Sequence, residues 1–230
     1  MDDITEQDIF KAFKKTQGEL SFPGGKLELP TEERFPEIFD VIKKCFLTDE
    51  PLEKSLQLEW SSEVEEIWMS ALRSKLSLII VDENTKKIIG MRAIRVTKKS
   101  DHTDVSLIKD ESVKKLLEFF EYTSEHPNVF EKYGITEHFE FFGLAVLPEY
   151  RQRGMGTVLM QAGVSFLGHL KRPSYIKGSA SSNFSKKIYD KFDFEAIGDY
   201  VFEDYKVDGK VVFDNTGEHK SMKLYVMFLQ

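Results

Sequence analysis

The sequence predicts a mixed α/β fold in one domain, and three observations carry this. Apolar residues recur at helical spacing in several segments, as at Phe35, Ile38, Phe39, Ile42, Cys45 and Phe46. Short apolar runs of strand length, LSLIIV and IIGMRAIRV, stand between those segments. The second half then runs strand, helix, strand, helix, the order of a sheet with helices packed on it. The chain has 230 residues, which permits one large domain or two small ones. It contains no internal repeat, low-complexity tract or Pro/Gly/Ser linker, so a single domain over residues 1–230 is expected.

In order, residues 5–16 read as a short helix opened by Thr5 and Asp8, a variant of the capping box. FPGG marks a turn, and GKLEL is a first strand. The stripe from Phe35 to Phe46 makes 32–47 a helix. Another starts at Pro51, whose fixed φ and missing N–H suit a first helical position, and VEEIWMSALRSK continues the helical pattern. LSLIIV and IIGMRAIRV, separated by DENTKK, form a hairpin. Residues 110–123 read as a helix and 124–137 as a loop with some helix, so 98–138 is a long insertion between two strands. FEFFGLAVL is apolar on both faces, as a strand at a sheet centre must be. Val158, Leu159, Ala162, Phe166, Leu167 and Leu170 mark the next helix, SYIKGSA a short strand and NFSKKIYDKFDF a helix. YVFEDYKVDGKVVF contains strand and turn, and MKLYVMFL closes the order as a strand.

Composition is that of a soluble globular chain, 41% hydrophobic and 31% charged. Nineteen phenylalanines point to a large aromatic core or an aromatic-lined pocket. A net charge of −7 argues against general nucleic-acid binding, which needs a basic face, and suits a protein that attracts small cations. Cys45 is the only cysteine, so no internal disulfide forms; its place on the apolar stripe makes it a core residue rather than a nucleophile. A chain without a disulfide framework is consistent with a cytoplasmic location. The acidic, mixed start MDDITEQDIFKAFKK is not a signal peptide. No apolar run approaches the roughly 20 residues that span a membrane. The five histidines lie far apart, with no HxxxH or CxxC pair, so no metal is expected.

PEYRQRGMGTV, residues 148–158, sits where a strand hands over to a helix. A helix start exposes unpaired N–H groups and the positive end of its dipole, which together hold anions. Gly154 and Gly156 let an anion approach those amides, and Arg151 and Arg153 can add charged hydrogen bonds. Pyrophosphate is the natural guest. The dinucleotide fingerprint fails because Leu159 stands where the third glycine belongs, and the P-loop fails because no lysine follows Gly156. A basic loop with two turn glycines is the plainer alternative. Upstream, CFLTDEPLEKSL places Glu50 before Pro51, where Glu50 or Asp49 suits the role of helix cap.

LAVLPEYRQRGMGTVLM resembles the acyl-CoA-binding motif of the GNAT N-acetyltransferase superfamily, [QR]xxGx[GA], with Arg151, Gly154 and Gly156 in its fixed positions. The order of elements from about residue 26 onward is also similar, so the resemblance covers nearly the whole chain. It implies a mixed central sheet of about seven strands flanked by helices and splayed at the site of acetyl-CoA. The backbone of Leu144, Ala145 and Val146 would bind the pantetheine arm. The amides of Arg151, Gln152, Arg153, Gly154, Met155, Gly156 and Thr157 would hold the pyrophosphate.

DEPL further resembles the insect arylalkylamine (dopamine-type) branch, in which the glutamate before the proline is the general base, here Glu50. GSASSNFSKKIYDKFDF matches a third region. There the resemblance implies that Asn183 holds the pantetheine arm, that Tyr189 protonates the leaving thiolate, and that Ser181 and Ser185 assist proton movement. Ser182 competes with Ser181 for that register, and Asp193 replaces the usual glycine before Phe194. The residues alone also permit Asn183 as a helix cap and Tyr189 as a packing residue.

In the insertion, Leu116, Leu117, Phe119, Phe120, Tyr122, Phe130 and Tyr133 read either as core or as an aromatic wall for an amine. The expected activity is acetyl transfer from acetyl-CoA to a small arylalkylamine such as dopamine or serotonin. A polyamine-like acceptor and a non-catalytic CoA- or amine-binding protein are the alternatives. A serine hydrolase has no support: there is no GxSxG, and Ser165 lies mid-helix.

Overall fold

The computed structural model describes residues 4–229. Seven strands form one sheet: β1 (Gly25–Glu28), β2 (Leu78–Asp82), β3 (Ile88–Lys98), β4 (Glu137–Val146), β5 (Tyr175–Ala180), β6 (Glu195–Val201) and β9 (Ser221–Phe228). Their spatial order is β1-β2-β3-β4-β5-β9-β6. β4 and β5 run parallel; every other neighbouring pair is antiparallel. A separate ribbon pairs β7 (Lys206–Val207) with β8 (Lys210–Val211). This is the mixed, helix-flanked sheet expected.

The side chains of β2 explain its unbroken apolar run. Leu78 and Ile80 join one core layer, Ile79 and Val81 the other, as period-two alternation requires in a strand covered on both faces. The first layer is closed by α1 (Glu6–Glu19) and α7 (Met155–Leu170), through Phe13, Leu159 and Phe166. The second is closed by α2 (Phe35–Ile42), α4 (Ser62–Arg73) and α5 (Glu111–Glu125), through Ile38, Trp68 and Phe119. Phe202 and Phe213, from the segment around the small ribbon, complete that layer and meet Phe119 edge-on.

Four segments differ from the sequence reading. The helix expected over 32–47 is three pieces: a 3₁₀ turn (Glu32–Arg34), α2, and a π-helical turn (Lys43–Leu47) that leads to Asp49 and Glu50. Pro36, in the first turn of α2, has no N–H to continue the preceding turn. The helix starting at Pro51 is short, α3 (Pro51–Ser55), and α4 begins anew at the Ser61 cap. α8 (Asn183–Tyr189) ends before the phenylalanines of KFDF, which leave helical spacing to pack under the sheet; Phe194 meets Tyr189 edge-on. β6 lies upstream of the expected strand, in the polar run EAIGDYV. As an edge strand it needs few apolar side chains, so its pattern carried little signal. Between β3 and β4 the chain carries α5 and α6 (Val129–Tyr133).

Candidate active site

The sheet opens at its centre. β4 and β5 pair only at Phe139↔Ile176, Glu140↔Lys177 and Phe141↔Gly178, although β4 continues to Val146 and β5 to Ala180. The cause is a bulge: Ala93 faces Gly143 and Ile94 faces Phe141, leaving Phe142 as an extra residue on β4. Such a bulge bends its strand and re-aims the residues beyond it. Gly143 permits the bend, because a Cβ there would lie 2.6 Å from the Trp68 ring. A cavity of about 1560 Å³ runs through the gap.

One set of walls comes from β4 and the start of α7. Leu144, Ala145, Val146, Arg151, Gln152, Gly154, Met155, Gly156 and Thr157 all line the cavity. Gly154 occupies the N-cap of α7 with φ 81°, and no side chain caps that helix, so its first amides remain open to an anion. Gly156 serves packing: a Cβ there would sit 3.0 Å from Ile188 Cδ1. Arg151 is committed to the protein. Its Nε donates to the Val146 carbonyl at 2.9 Å and its guanidinium pairs with Asp49 at 2.7 Å. Cys45 Sγ also donates to that carbonyl, so the expectation of a free Val146 acceptor is corrected. Arg153 does not line the cavity and lies over the Tyr150 ring, 5.4 Å from its centroid.

Glu50 occupies the N-cap of α3, accepting from Glu53 N at 2.7 Å. Capping and exposure to the cavity coincide in this one carboxylate. Burial raises its pKa, while the Ser181 hydroxyl and the Glu53 and Leu52 amides pull it back by favouring the charged form. Ser182, not Asn183, caps α8. Ser182 and Ser185 form a reciprocal capping box, with Ser185 N donating to Ser182 Oγ at 3.1 Å. Asn183 does not line the cavity. Its N–H donates to His219 Nδ1 and its amide to the Glu218 carbonyl, so it is not placed to hold a pantetheine arm. Ser181, Ser185 and Tyr189 do line it. Tyr189 is stacked on Tyr225 at 4.5 Å, its hydroxyl filling the notch left by Gly178.

The remaining walls come from the insertion and α4. Of the aromatic and aliphatic residues singled out there, Leu116, Leu117, Phe120 and Phe130 line the cavity, joined by Phe46, Trp68 and Phe142. Phe119 is core, Tyr122 packs on Tyr200 and Tyr205, and Tyr133 on Tyr175. A half-buried charge cluster also lines this part. Glu140 bonds Arg95 Nε at 2.7 Å and Thr97 Oγ1 at 3.0 Å, and Lys177 Nζ reaches Ser124 Oγ at 2.8 Å. Burial alone would raise the Glu140 pKa, but Arg95 and Lys177 override it and hold the carboxyl well below the usual range. Burial, then the Lys177 charge, lowers His138 to about 4, so its imidazole is neutral at pH 7.

Sequence reasoning missed two residues, Glu53 and Arg92. Both are buried, and both line the cavity. Among the described residues, three buried side-chain polar atoms lack a partner: Glu53 Oε2, Arg92 Nε and the Tyr189 hydroxyl. All three belong to this one cavity, where unsatisfied groups are expected if they await a ligand. The DEPLE spacing brought Glu53 within one turn of Glu50, a signal that was legible; nothing in IIGMRAIRV marked Arg92 as more than a strand residue.

Among the described residues, no helix is long and apolar enough to cross a membrane, and no group of three or more His, Cys, Asp or Glu is arranged to hold a metal ion. The acetyltransferase (GNAT) family model matches residues 35–194. Arylalkylamine N-acetyltransferase 2 from Aedes aegypti superposes with a TM-score of 0.83 at 19% identity, covering 90% of this chain and 99% of that one. Mosquito arylalkylamine N-acetyltransferase like 5b gives 0.82 at 20% identity, covering 89% and 100%. Drosophila melanogaster polyamine N acetyltransferase gives 0.80 at 14% identity, again covering 89% and 100%. The sheet splayed beside an uncapped helix start, and a family match across most of the chain, lead to one conclusion: this protein belongs to the GNAT acetyltransferase family, whose members transfer acetyl from acetyl-CoA.

Proposed function

We propose that this protein acetylates the primary amine of a small arylalkylamine, with Glu50 as general base. The observation that carries the reading is a half-buried carboxylate, Glu50, facing a cavity that joins an anion-accepting helix start to an aromatic wall. Similarity to solved arylalkylamine N-acetyltransferases supports the acceptor class.

An alkylamine has a pKa near that of lysine, about 10.4, so at neutral pH it arrives as an ammonium that cannot attack. Glu50 binds that cation and withdraws its proton, directly or through water. Burial strengthens it as a base, and the Ser181 hydroxyl holds it charged enough to accept. The open amides at the start of α7 take the pyrophosphate of acetyl-CoA. The unpaired edge of β4 at Leu144 and Ala145 orients the pantetheine arm. Arg151 acts chiefly by tying Asp49, next to the base, to the end of β4. Phe120, Phe130, Trp68 and Phe142 give the cavity an aromatic lining suited to an aryl group or to the cation. Holding amine and thioester in line supplies much of the acceleration.

The test is release of CoA thiol from acetyl-CoA over a panel of arylalkylamines, diamines and polyamines. Arylalkylamines should give the highest kcat/KM, and Glu50→Ala should lower it by two orders of magnitude or more, within the range of about 10²–10⁴ for a general base. Preference for polyamines would replace the acceptor class. Unchanged turnover in Glu50→Ala would remove the assigned base.

A further inference from the structure

Arg92 lies in the central strand β3 with 1% of its surface exposed. A buried guanidinium ordinarily faces a carboxylate, because an unpaired charge in the interior is strongly unfavourable. Among the described residues Arg92 has no such partner. Its guanidinium lies over the Phe141 ring at 4.4 Å, one terminal nitrogen is 3.7 Å from Met160 Sδ, and Nε has no partner at all. The other orphan on the same side is the Tyr189 hydroxyl. Both residues line the cavity, and Phe141 and Gly178, which they contact, are the last paired positions before β4 and β5 separate. Cation and phenol thus flank the point where the sheet opens, close enough for each to shift the other's pKa.

We propose that Arg92 is a positioning residue for the acyl-transfer step, acting through Tyr189 to stabilise the negative charge this phenol acquires when it protonates the departing thiolate. This rests on the acetyl-transfer reading above. In that step the neutral amine forms the new C–N bond, the C–S bond breaks, and its electron pair stays on sulfur. Tyr189 gives its proton to that sulfur, leaving a phenolate beside the Arg92 guanidinium. Glu50, which has passed the first ammonium proton to solvent water, takes the surplus proton from nitrogen, and water returns a proton to Tyr189.

The surroundings suit this role. Burial raises the pKa of Tyr189; the Arg92 charge opposes that rise and Glu140 adds to it. On β9 the stacked neighbour is Tyr225, whose hydroxyl donates to Asp190 Oδ1 at 3.0 Å and is thereby occupied. From β5 the close approach is Gly178, and from α7 the uncharged Met160 and Gly163 lie against Arg92. Arg92 is therefore the cation that favours the phenolate.

Arg92→Met, Arg92→Lys, Tyr189→Phe and the Arg92→Met/Tyr189→Phe double variant test this. Arg92→Met should melt at or above the wild-type temperature, since it removes an unpaired buried charge. Its kcat should fall about tenfold, the equivalent of one pKa unit on the acid, with the KM for acetyl-CoA unchanged. The alkaline limb of its pH profile should move to higher pH. Arg92→Lys should restore part of kcat, and the double variant should be no slower than Tyr189→Phe. An equal further loss in the Tyr189→Phe background overturns the proposal, as does wild-type kcat in Arg92→Met. If Tyr189→Phe keeps full activity while Glu50→Ala is dead, the inference fails and acetyl transfer stands. If no amine is acetylated at all, the reading of function fails. Tyrosinate absorbance, titrated by difference against Tyr189→Phe, then still decides the coupling: Tyr189 should ionise at higher pH in Arg92→Met, and an unchanged titration refutes it.

Discussion

Replacing Glu53 by leucine should make this protein more stable and less active, and the gain in stability should grow with pH. Glu53 is 7% exposed, and its Oε2 has no hydrogen-bond partner. Burial, and then the charge on Glu50, pushes its carboxyl well above the ordinary range. The folded chain therefore holds this proton more tightly than the unfolded chain does. Stability from that difference is fully present below the ordinary carboxylate value of about 4.3 and is lost as pH rises through the raised folded value. Leucine fills a similar volume without the orphan.

An unsatisfied buried polar group costs about 1–3 kcal/mol. Loss of an acid from the first turn of α3 offsets this by up to about 0.5 kcal/mol. With about 2.1 cal/mol/K of unfolding entropy per residue, a chain of 230 residues moves roughly 2 °C per kcal/mol. The expected rise in Tm is therefore about 1–5 °C at pH 8, and less at pH 5. Activity should fall, because Glu53 lines the cavity beside the base, and such stability–activity opposition is common at working sites. Thermal melts of both proteins at the two pH values, with turnover at pH 8, provide the assay. A variant that melts lower at pH 8, or by the same margin at both, would refute the reasoning.

The same geometry sets other outcomes. Gly178→Ala should displace Tyr189, because a Cβ there would lie 2.0 Å from its hydroxyl; melting should report a loss of about 1–3 kcal/mol from overpacking, with kcat lowered. Arg151→Ala should raise the KM for acetyl-CoA, and Asp49→Asn should do so too, since both break the tie between Asp49 and β4. If only Arg151→Ala acts, the arginine grips phosphate directly. Glu140 is held below its ordinary range, so its contribution is present above about pH 4.3 and is lost as pH falls below it. Arg95→Met should flatten the dependence of stability on acid pH, because it relieves the depression of the Glu140 carboxyl, and should lower stability at neutral pH by about 3 kcal/mol, measured by urea denaturation. Gly143→Ala should drive Trp68 into the aromatic wall and raise the KM for amines more than for acetyl-CoA.

Much of this protein was legible in its sequence because local rules wrote it there. Thr5 and Asp8 form the expected capping box, Pro51 opens a helix behind Glu50, and Gly154 takes the left-handed turn before α7. Each depends on neighbours within a few residues, as do amphipathic stripes and strand runs. The motif around Arg151, read beside DEPL, was enough to point to the family. Tertiary structure decided what depends on chain segments distant in sequence. Ser182 rather than Asn183 became the cap once His219 and the Glu218 carbonyl engaged Asn183. Val146 lost its free carbonyl to Arg151 and Cys45. A bulge at Phe142, specified jointly by β3 and β4, set where the sheet splays. Glu53 and Arg92 are ordinary charged residues on paper. Burial without a partner is what makes them functional candidates, and that property belongs to the surrounding elements, not to the residue or its neighbours in sequence.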